Sequence, residues 1–312
     1  MQAGYEVIGC DLSLFPDAIC QELVKPTVQL LKDFRDLTIE DLNNVDAIAH
    51  LAAISNDSMG RLDPGLTHSI NGKGSVDLGR KAKLAGVKVF TFASSCSLYG
   101  SAGENVRTEE DLVNPISEYA ISKLFAEEGL AHLADEDFHV YLLRSATAYG
   151  VSPVMRMDLV VNDLSAGMYA YGVAEIRSDG TPWRPLINCK DMARAFQLFI
   201  ENDPTGVNGK PVNIGFQKEN FRVRDVGVLV LKNWPEGIVT YVPNAYIDSG
   251  NYKVSFQLLE SIFPSFSPEH PLEKGIPELR KLLENINYSK IDRENKKYIR
   301  LKEFQKRLEK LK

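Results

Sequence analysis

Short apolar runs rich in β-branched and aromatic residues recur along the first half of the chain: Glu6 to Cys10, Val28 to Leu31, Ala47 to Leu51, Val87 to Ala93 and Val140 to Leu143. Their shortness and composition predict buried strands. Between them, Leu66 to Ala85 and Glu118 to Ala134 carry helical patterning. Strands alternating with helices imply right-handed crossovers onto a parallel sheet. The expected fold class is therefore α/β, a Rossmann-type doubly wound parallel sheet.

The front of the chain departs from that plan. A dinucleotide-binding sheet opens with a strand, a Gly-rich turn and a helix whose N-terminus faces a pyrophosphate. Here Met1-Gln2-Ala3-Gly4-Tyr5 reads as the end of that helix, with Gly4 as its C-cap, leading straight into the second strand. The first βα unit is thus expected to be missing, its strand belonging between Glu6 to Cys10 and Ala47 to Leu51. Poor folding and weak dinucleotide binding would follow, because two strands would expose unpaired backbone groups. After Arg144 the turns at Ser152-Pro153, Gly180-Thr181-Pro182 and Asn202-Asp203-Pro204 predict a smaller, less regular C-terminal lobe. The expected organisation is a dinucleotide-binding domain over residues 1–150, with 184–215 returning to it. Residues 151–183 and 216–284 would form a substrate-binding lobe, and 285–312 a charged C-terminal helix or tail.

A net charge of -6 argues against a nucleic-acid surface. The four cysteines, Cys10, Cys20, Cys96 and Cys189, are scattered and form no CxxC pair, so neither a metal site nor a disulfide framework is indicated. No apolar stretch approaches the roughly 20 residues of a bilayer span, and no signal peptide is evident. A soluble, cytoplasmic protein with no membrane partner is expected.

Tyr119-Ala120-Ile121-Ser122-Lys123 places a phenol and an ammonium on one helix face. A nearby cation is expected to draw the tyrosine pKa down from about 10. Ser94-Ser95-Cys96-Ser97-Leu98-Tyr99-Gly100 lies just beyond an apolar strand, where open α/β sheets bind ligands. His50-Leu51-Ala52-Ala53 ends the preceding strand with small residues that let a flat cofactor approach. Asp33-Phe34-Arg35-Asp36 follows an earlier one, and Asp11 follows the second strand, where an acid can hold an adenosine ribose and repel a 2′-phosphate.

In this order and spacing these pieces resemble the extended short-chain dehydrogenase/reductase family, specifically its NAD-dependent epimerase/dehydratase branch, from about Tyr5 to about Leu283. The motifs are HLAA at His50 to Ala53, Asn71 with Gly74, SSxSxYG at Ser94 to Gly100, YxxxK, Leu143-Arg144 with Tyr149-Gly150, and Arg184 seven residues before Asp191. The resemblance implies NAD as cofactor. It makes Tyr119 the general acid or base, Lys123 the residue that tunes it and holds the nicotinamide ribose, and Ser95 the partner of the reacting oxygen. Asp11 would hold the adenosine ribose, Asp33 and Phe34 the adenine, and Leu51, Ala52, Ala53 and Ser94 the rest of the cofactor. Asn71 would support the active-site backbone close to the cofactor. Ser95, Thr147, Asn162 and Arg184 would bind the substrate, a nucleotide-diphosphate sugar, with Arg184 on its diphosphate.

Three departures from the family pattern matter. The GxxGxxG turn is absent, Thr147 replaces the usual Asn three residues after Arg144, and Cys96 and Ser97 stand where 4,6-dehydratases carry an acidic pair. The expected activity is a nucleotide-sugar 4-epimerase working through a 4-keto intermediate. The alternatives are a 4-ketoreductase or dehydrogenase on the same sugar class, or a non-catalytic sugar-nucleotide-binding remnant. The resemblance also implies a homodimer through a four-helix bundle, with Gly79, Ala82, Ala126 and Ala131 allowing close packing across the two-fold axis.

Overall fold

All five expected strands form, each end within two residues of its predicted place, in the computed structural model, which describes residues 3–242, 250–295 and 297–311. Val89–Ser95 pairs in parallel with Ala47–His50 on one side and His139–Ser145 on the other, and Pro211–Ile214 joins beyond. Side chains alternate across this sheet. Phe90, Phe92, Val140 and Leu142 face Leu78, Ala82, Ala126 and Leu130 on one side. Tyr141 and Leu143 face Phe196 and Phe199 on the other.

Ile8–Cys10 pairs in parallel with Val28–Leu30 and with no other strand among the described residues. The sheet is therefore in two pieces, four strands and two. The facing edges, Ile8–Cys10 and Ala47–His50, border a slot that opens into the main cleft and is also lined by Phe196, Gln197 and Ile200 of the Cys189–Asn202 helix. The Tyr5 hydroxyl donates to Glu201 Oε1 at 2.7 Å and ties the front segment to that helix. Met1 and Gln2, read as the end of a helix, lie outside the described residues. Gly4 has the left-handed φ of +88° that a C-cap adopts.

The Leu66 to Ala85 helix is continuous but not uniform. Pro64–Thr67 and Ser75–Leu84 are α-helical, and His68–Gly74 between them is π-helical. This stretch packs on Glu118–Ala131 through glycines. A Cβ on Gly79 would lie 2.4 Å from Leu130 Cδ2, and one on Gly129 would lie 2.5 Å from Val76 Cγ2. Ala82 and Ala126 are fully buried, and Ala131 packs against the same core. The small residues expected to act across a two-fold axis thus serve helix packing inside one chain.

Beyond Arg144 the strands are short and paired over long distances in sequence. Trp183–Asn188 lies between Thr147–Tyr149 and Asn220–Arg222, and Val173–Ile176 pairs with Ile238–Tyr241. Val160–Tyr171, Val223–Asn233 and Leu272–Asn285 pack around Leu164, Val226 and Leu279. Two segments cross to the cleft. The backbone of Ala18 and Cys20 bonds that of Met155 and Pro153, anchoring residues 15–20 on this lobe. The terminal Arg300–Leu311 helix buries Phe304, with Leu301 and Leu308, against Ile54 and Met59. That charged helix is therefore amphipathic and docked, not wholly solvated. No helix among the described residues is long and apolar enough to cross a membrane.

Candidate active site

The carboxyl ends of the central strands open onto a cleft of about 2200 Å³. Val89–Ser95 ends in two serines, and Ser95 Oγ accepts from the Ser97 amide at 3.1 Å to start the following turn. That turn closes at Gly100, whose φ of +64° leaves no room for a side chain: a Cβ would sit 2.1 Å from Asn114 O. Opposite, Ser117 Oγ caps the Glu118–Ala131 helix by accepting from Ala120 N at 3.2 Å, and donates to Asp57 Oδ1 at 2.5 Å. The helix then presents Tyr119 and Lys123 from one face. Ser95 lies beside Tyr119 in the cleft, close enough to lower the phenol's pKa. Lys123 Nζ donates to Ala93 O at 2.7 Å and lies 4.5 Å from the Phe92 ring centroid and 5.9 Å from that of Tyr119.

Burial dominates the electrostatics. It pushes the Tyr119 phenol up to about 12, a little relieved by the nearby Ser95 hydroxyl and by the charge of Arg156, and reinforced by Asp57. Lys123, 1 % exposed, is pushed down to about 7 by burial, with Glu127 working against the shift. The expectation that the ammonium draws the phenol below its usual value is therefore reversed in the protein alone. Desolvation penalises the charged form of each and is the largest cause of both shifts.

Buried polar contacts tie the Glu118–Ala131 helix and the helical stretch before it to the sheet and its loops. Asn71 Oδ1 accepts from Ile54 N at 2.8 Å, while its Nδ2 donates to Ile54 O at 3.0 Å and Ser122 Oγ at 3.1 Å. The Ser75 hydroxyl gives its single proton to Asn71 O, so the His50 Nε2 that lies 2.9 Å away must be the donor to Ser75. His50, packed among Phe34, Phe90 and Phe92, is held neutral, its pKa lowered to about 3 by burial and then by the Lys123 charge. One turn beyond Lys123, Glu127 pairs with Arg144 at 2.7 Å, and both are almost wholly buried. Arg144 also donates to the Tyr99 hydroxyl at 3.2 Å, which donates to Asn213 Oδ1 at 2.8 Å.

Of the residues singled out from sequence, Ser94, Ser95, Tyr119, Lys123, Asp11, Phe34, Leu51, Ala52, Ala53, Thr147 and Arg184 line the cleft. Three do not. Asp33 is taken up by Arg35, which donates to it from N, Nε and NH2, and these bonds hold its carboxyl below the usual range. Asn162 accepts from Gly150 N at 3.0 Å and donates to Arg156 O at 2.8 Å, so its amide holds backbone behind the cleft wall. Asn71 is structural in the way just described. Arg184, 7 % exposed, donates from NH1 to Trp183 O and Gly250 O and lies 5.8 Å from the Tyr252 ring centroid. Sequence reasoning missed Arg156, Asp158, Arg177 and Arg293 in the lining. Arg156 and Asp158, two apart after the Ser152-Pro153 turn, were the one detectable signal among them.

The arrangement is that of a Rossmann-type enzyme whose Ser, Tyr and Lys side chains meet where the strands end. The chain belongs to the NAD dependent epimerase/dehydratase family, which matches residues 1–215. It is 25% identical over 252 residues to the UDP-glucose 4-epimerase of Bacillus subtilis (strain 168), covering 69% of this chain and 71% of that one. It is 32% identical over 194 residues to the UDP-glucuronate 4-epimerase of Thermodesulfobacterium geofontis (strain OPF15), covering 61% of this chain and only 57% of the relative. The fold matches that of a UDP-glucuronic acid 4-epimerase from Bacillus cereus, solved with UDP-glucuronic acid and NAD, with a TM-score of 0.79 at 21% identity over 91% of this chain and 92% of that one.

NAD is the cofactor of this family. The residues present fit its nicotinamide end. Ser94 Oγ is buried with no hydrogen-bond partner among the described residues, beside Lys123 and Tyr119 in the same cleft. At the diphosphate end the fit is incomplete: no strand or helix N-terminus lies in the slot among the described residues.

Proposed function

We propose that the protein is a nucleotide-sugar 4-epimerase, with Tyr119 as the proton-transferring group, Ser95 as its partner on the reacting oxygen and Lys123 as the residue that holds and tunes them. The observation that carries this reading is the convergence on one cleft of Ser95, at the end of the central strand, with Tyr119 and Lys123, one helical turn apart. The relatives named for 4-epimerisation of UDP-glucose and UDP-glucuronate support it. As the phenolate, Tyr119 takes the proton of the C4 hydroxyl while Ser95 holds that oxygen, and Lys123 donates to the ribose next to the nicotinamide. Bound NAD supplies the hydride acceptor and donor. A 4-keto sugar has no stereocentre at C4, so one that turns in the cleft would present its other face for reduction and give the epimer, with Tyr119 returning the proton to the C4 oxygen. Arg184 is assigned to the substrate diphosphate as a planar, permanently charged fork.

The test is NMR observation of UDP-glucose and UDP-glucuronate incubated with the chain and NAD. Interconversion with the 4-epimers is expected, and Tyr119→Phe should lower it by about two orders of magnitude or more with the melting temperature kept. Bound ligands that never turn over would instead favour a second reading, sugar-nucleotide binding without catalysis. We also propose a homodimer through the outer faces of the two helices, where Ile121 and Phe125 are largely exposed. A monomer by light scattering at micromolar concentration would refute that part.

A further inference from the structure

The short Asp57–Gly60 helix has no part in the chemistry above, yet it lies directly against Tyr119. A Cβ on Gly60 would stand 3.2 Å from Tyr119 N and 3.4 Å from Tyr119 Cβ, so the two segments touch with no side chain of Gly60 between them. Asp57 opens this turn and lines the cleft together with Ser117, Tyr119 and Arg156. Its Oδ1 accepts a hydrogen bond from the Ser117 hydroxyl at 2.5 Å. A serine hydroxyl has one proton, so the Ser117 lone pairs are left to face Ala120 N, the bond that caps the Tyr119 helix.

The turn is itself held on several sides. Asn56 Oδ1 accepts from Met59 N at 2.7 Å, and Asn56 Nδ2 donates to Asp158 Oδ2 at 3.0 Å. Asp158 makes a bidentate pair with Arg156, at 3.0 and 2.9 Å. Arg156 NH1 in turn donates to Ser55 O at 3.2 Å and Ser55 Oγ at 3.1 Å. Leu301 and Phe304 of the terminal helix pack against Ile54 and Met59. Asp57 is thus anchored independently of the helix whose cap it orients.

We propose that Asp57 is a positioning residue that, through its hydrogen bond with the Ser117 cap, fixes where the Tyr119 side chain enters the cleft. The inference rests on the reading that Tyr119 transfers the proton. The negative charge of Asp57 gives the role a signature of its own. After burial, the groups that act on the phenol are Ser95, which lowers its pKa, Asp57, which raises it, Arg156, which lowers it, and Cys96, which raises it. Lys123 Nζ lies 5.9 Å from the ring centroid.

The test compares the full chain with its Asp57→Ala and Asp57→Asn variants, with NAD and UDP-glucose or UDP-glucuronate. Asp57→Ala loses both the tie and the charge, and kcat should fall about tenfold or more with KM little changed. Asp57→Asn keeps an oxygen that accepts from Ser117 and removes only the charge. It should restore most of kcat, and the ascending limb of its pH–rate profile should move to lower pH, because a neighbouring negative charge disfavours phenolate. Hydrogen exchange followed by NMR supplies a readout that needs no turnover: the Ala120 amide should exchange faster in Asp57→Ala and at the wild-type rate in Asp57→Asn. That exchange pattern in a wild type that turns over neither UDP-sugar refutes the epimerase reading and leaves the hold of Asp57 on the helix standing. Wild-type kcat, pH limb and exchange in both variants overturn the proposal, and so does a loss confined to the melting temperature. Should Asp57→Ala not fold, Asp57→Asn decides alone, and an unshifted limb overturns the proposal.

Discussion

Lys123 shows how far burial can override a favourable neighbour. Its folded pKa, about 7, lies below the value of 10.5 expected in the unfolded chain, so between these values the unfolded chain binds more protons. Stability from this group therefore rises with pH across that window and is lost as pH falls through about 7. Lys123→Met should flatten the corresponding slope in urea unfolding measured from pH 7 to 10, and should abolish turnover. An identical slope in the variant would count against the assignment. Glu127 behaves in the opposite way, because its charge is needed. Glu127→Ala leaves the Arg144 guanidinium buried and uncompensated and is expected to lose about 3–5 kcal/mol in denaturant unfolding. That Tyr119 and Lys123 share the cleft was legible because they lie one turn apart on a helix, and that Ser95 joins them because it ends a buried strand. The sign of the phenol's shift was not, since a sequence shows which charges are close along a helix but not how much water surrounds them.

Among the elements, the parallel strands were legible because buried strands are continuous apolar runs. The short strands of the lobe were not. Val173–Ile176 finds its partner in Ile238–Tyr241, far along the chain, and Ser101–Arg107 pairs with Asn251–Val254, so neither has a local signal. The terminal helix was read by its charge, which concealed the stripe of Leu301, Phe304 and Leu308. The contact between Pro64 to Leu84 and Glu118–Ala131 permits a sharper test. Gly79→Ala forces a methyl against Leu130 and should destabilise the protein by about 1–3 kcal/mol. Because the contact lies within one chain, the loss measured by thermal melting should not depend on protein concentration; a concentration-dependent loss would move Gly79 to an interface between copies.

For the whole molecule, the two-piece sheet allows a test of where the cofactor diphosphate is held. A chain extended at its front by an apolar strand, a Gly-rich turn and a helix should bind NAD much more tightly than the chain of 312 residues, because a helix N-terminus would then face the diphosphate. Equal, tight binding in calorimetry would show that the cofactor is held elsewhere. The slot between Ile8–Cys10 and Ala47–His50 also has a thermodynamic meaning of its own. A βα peptide added as a separate molecule would be a ligand of the native state alone, so folding stability would grow logarithmically with its concentration. The slot makes the robustness of this fold a titratable quantity, set by how much of a complementary peptide the solution contains.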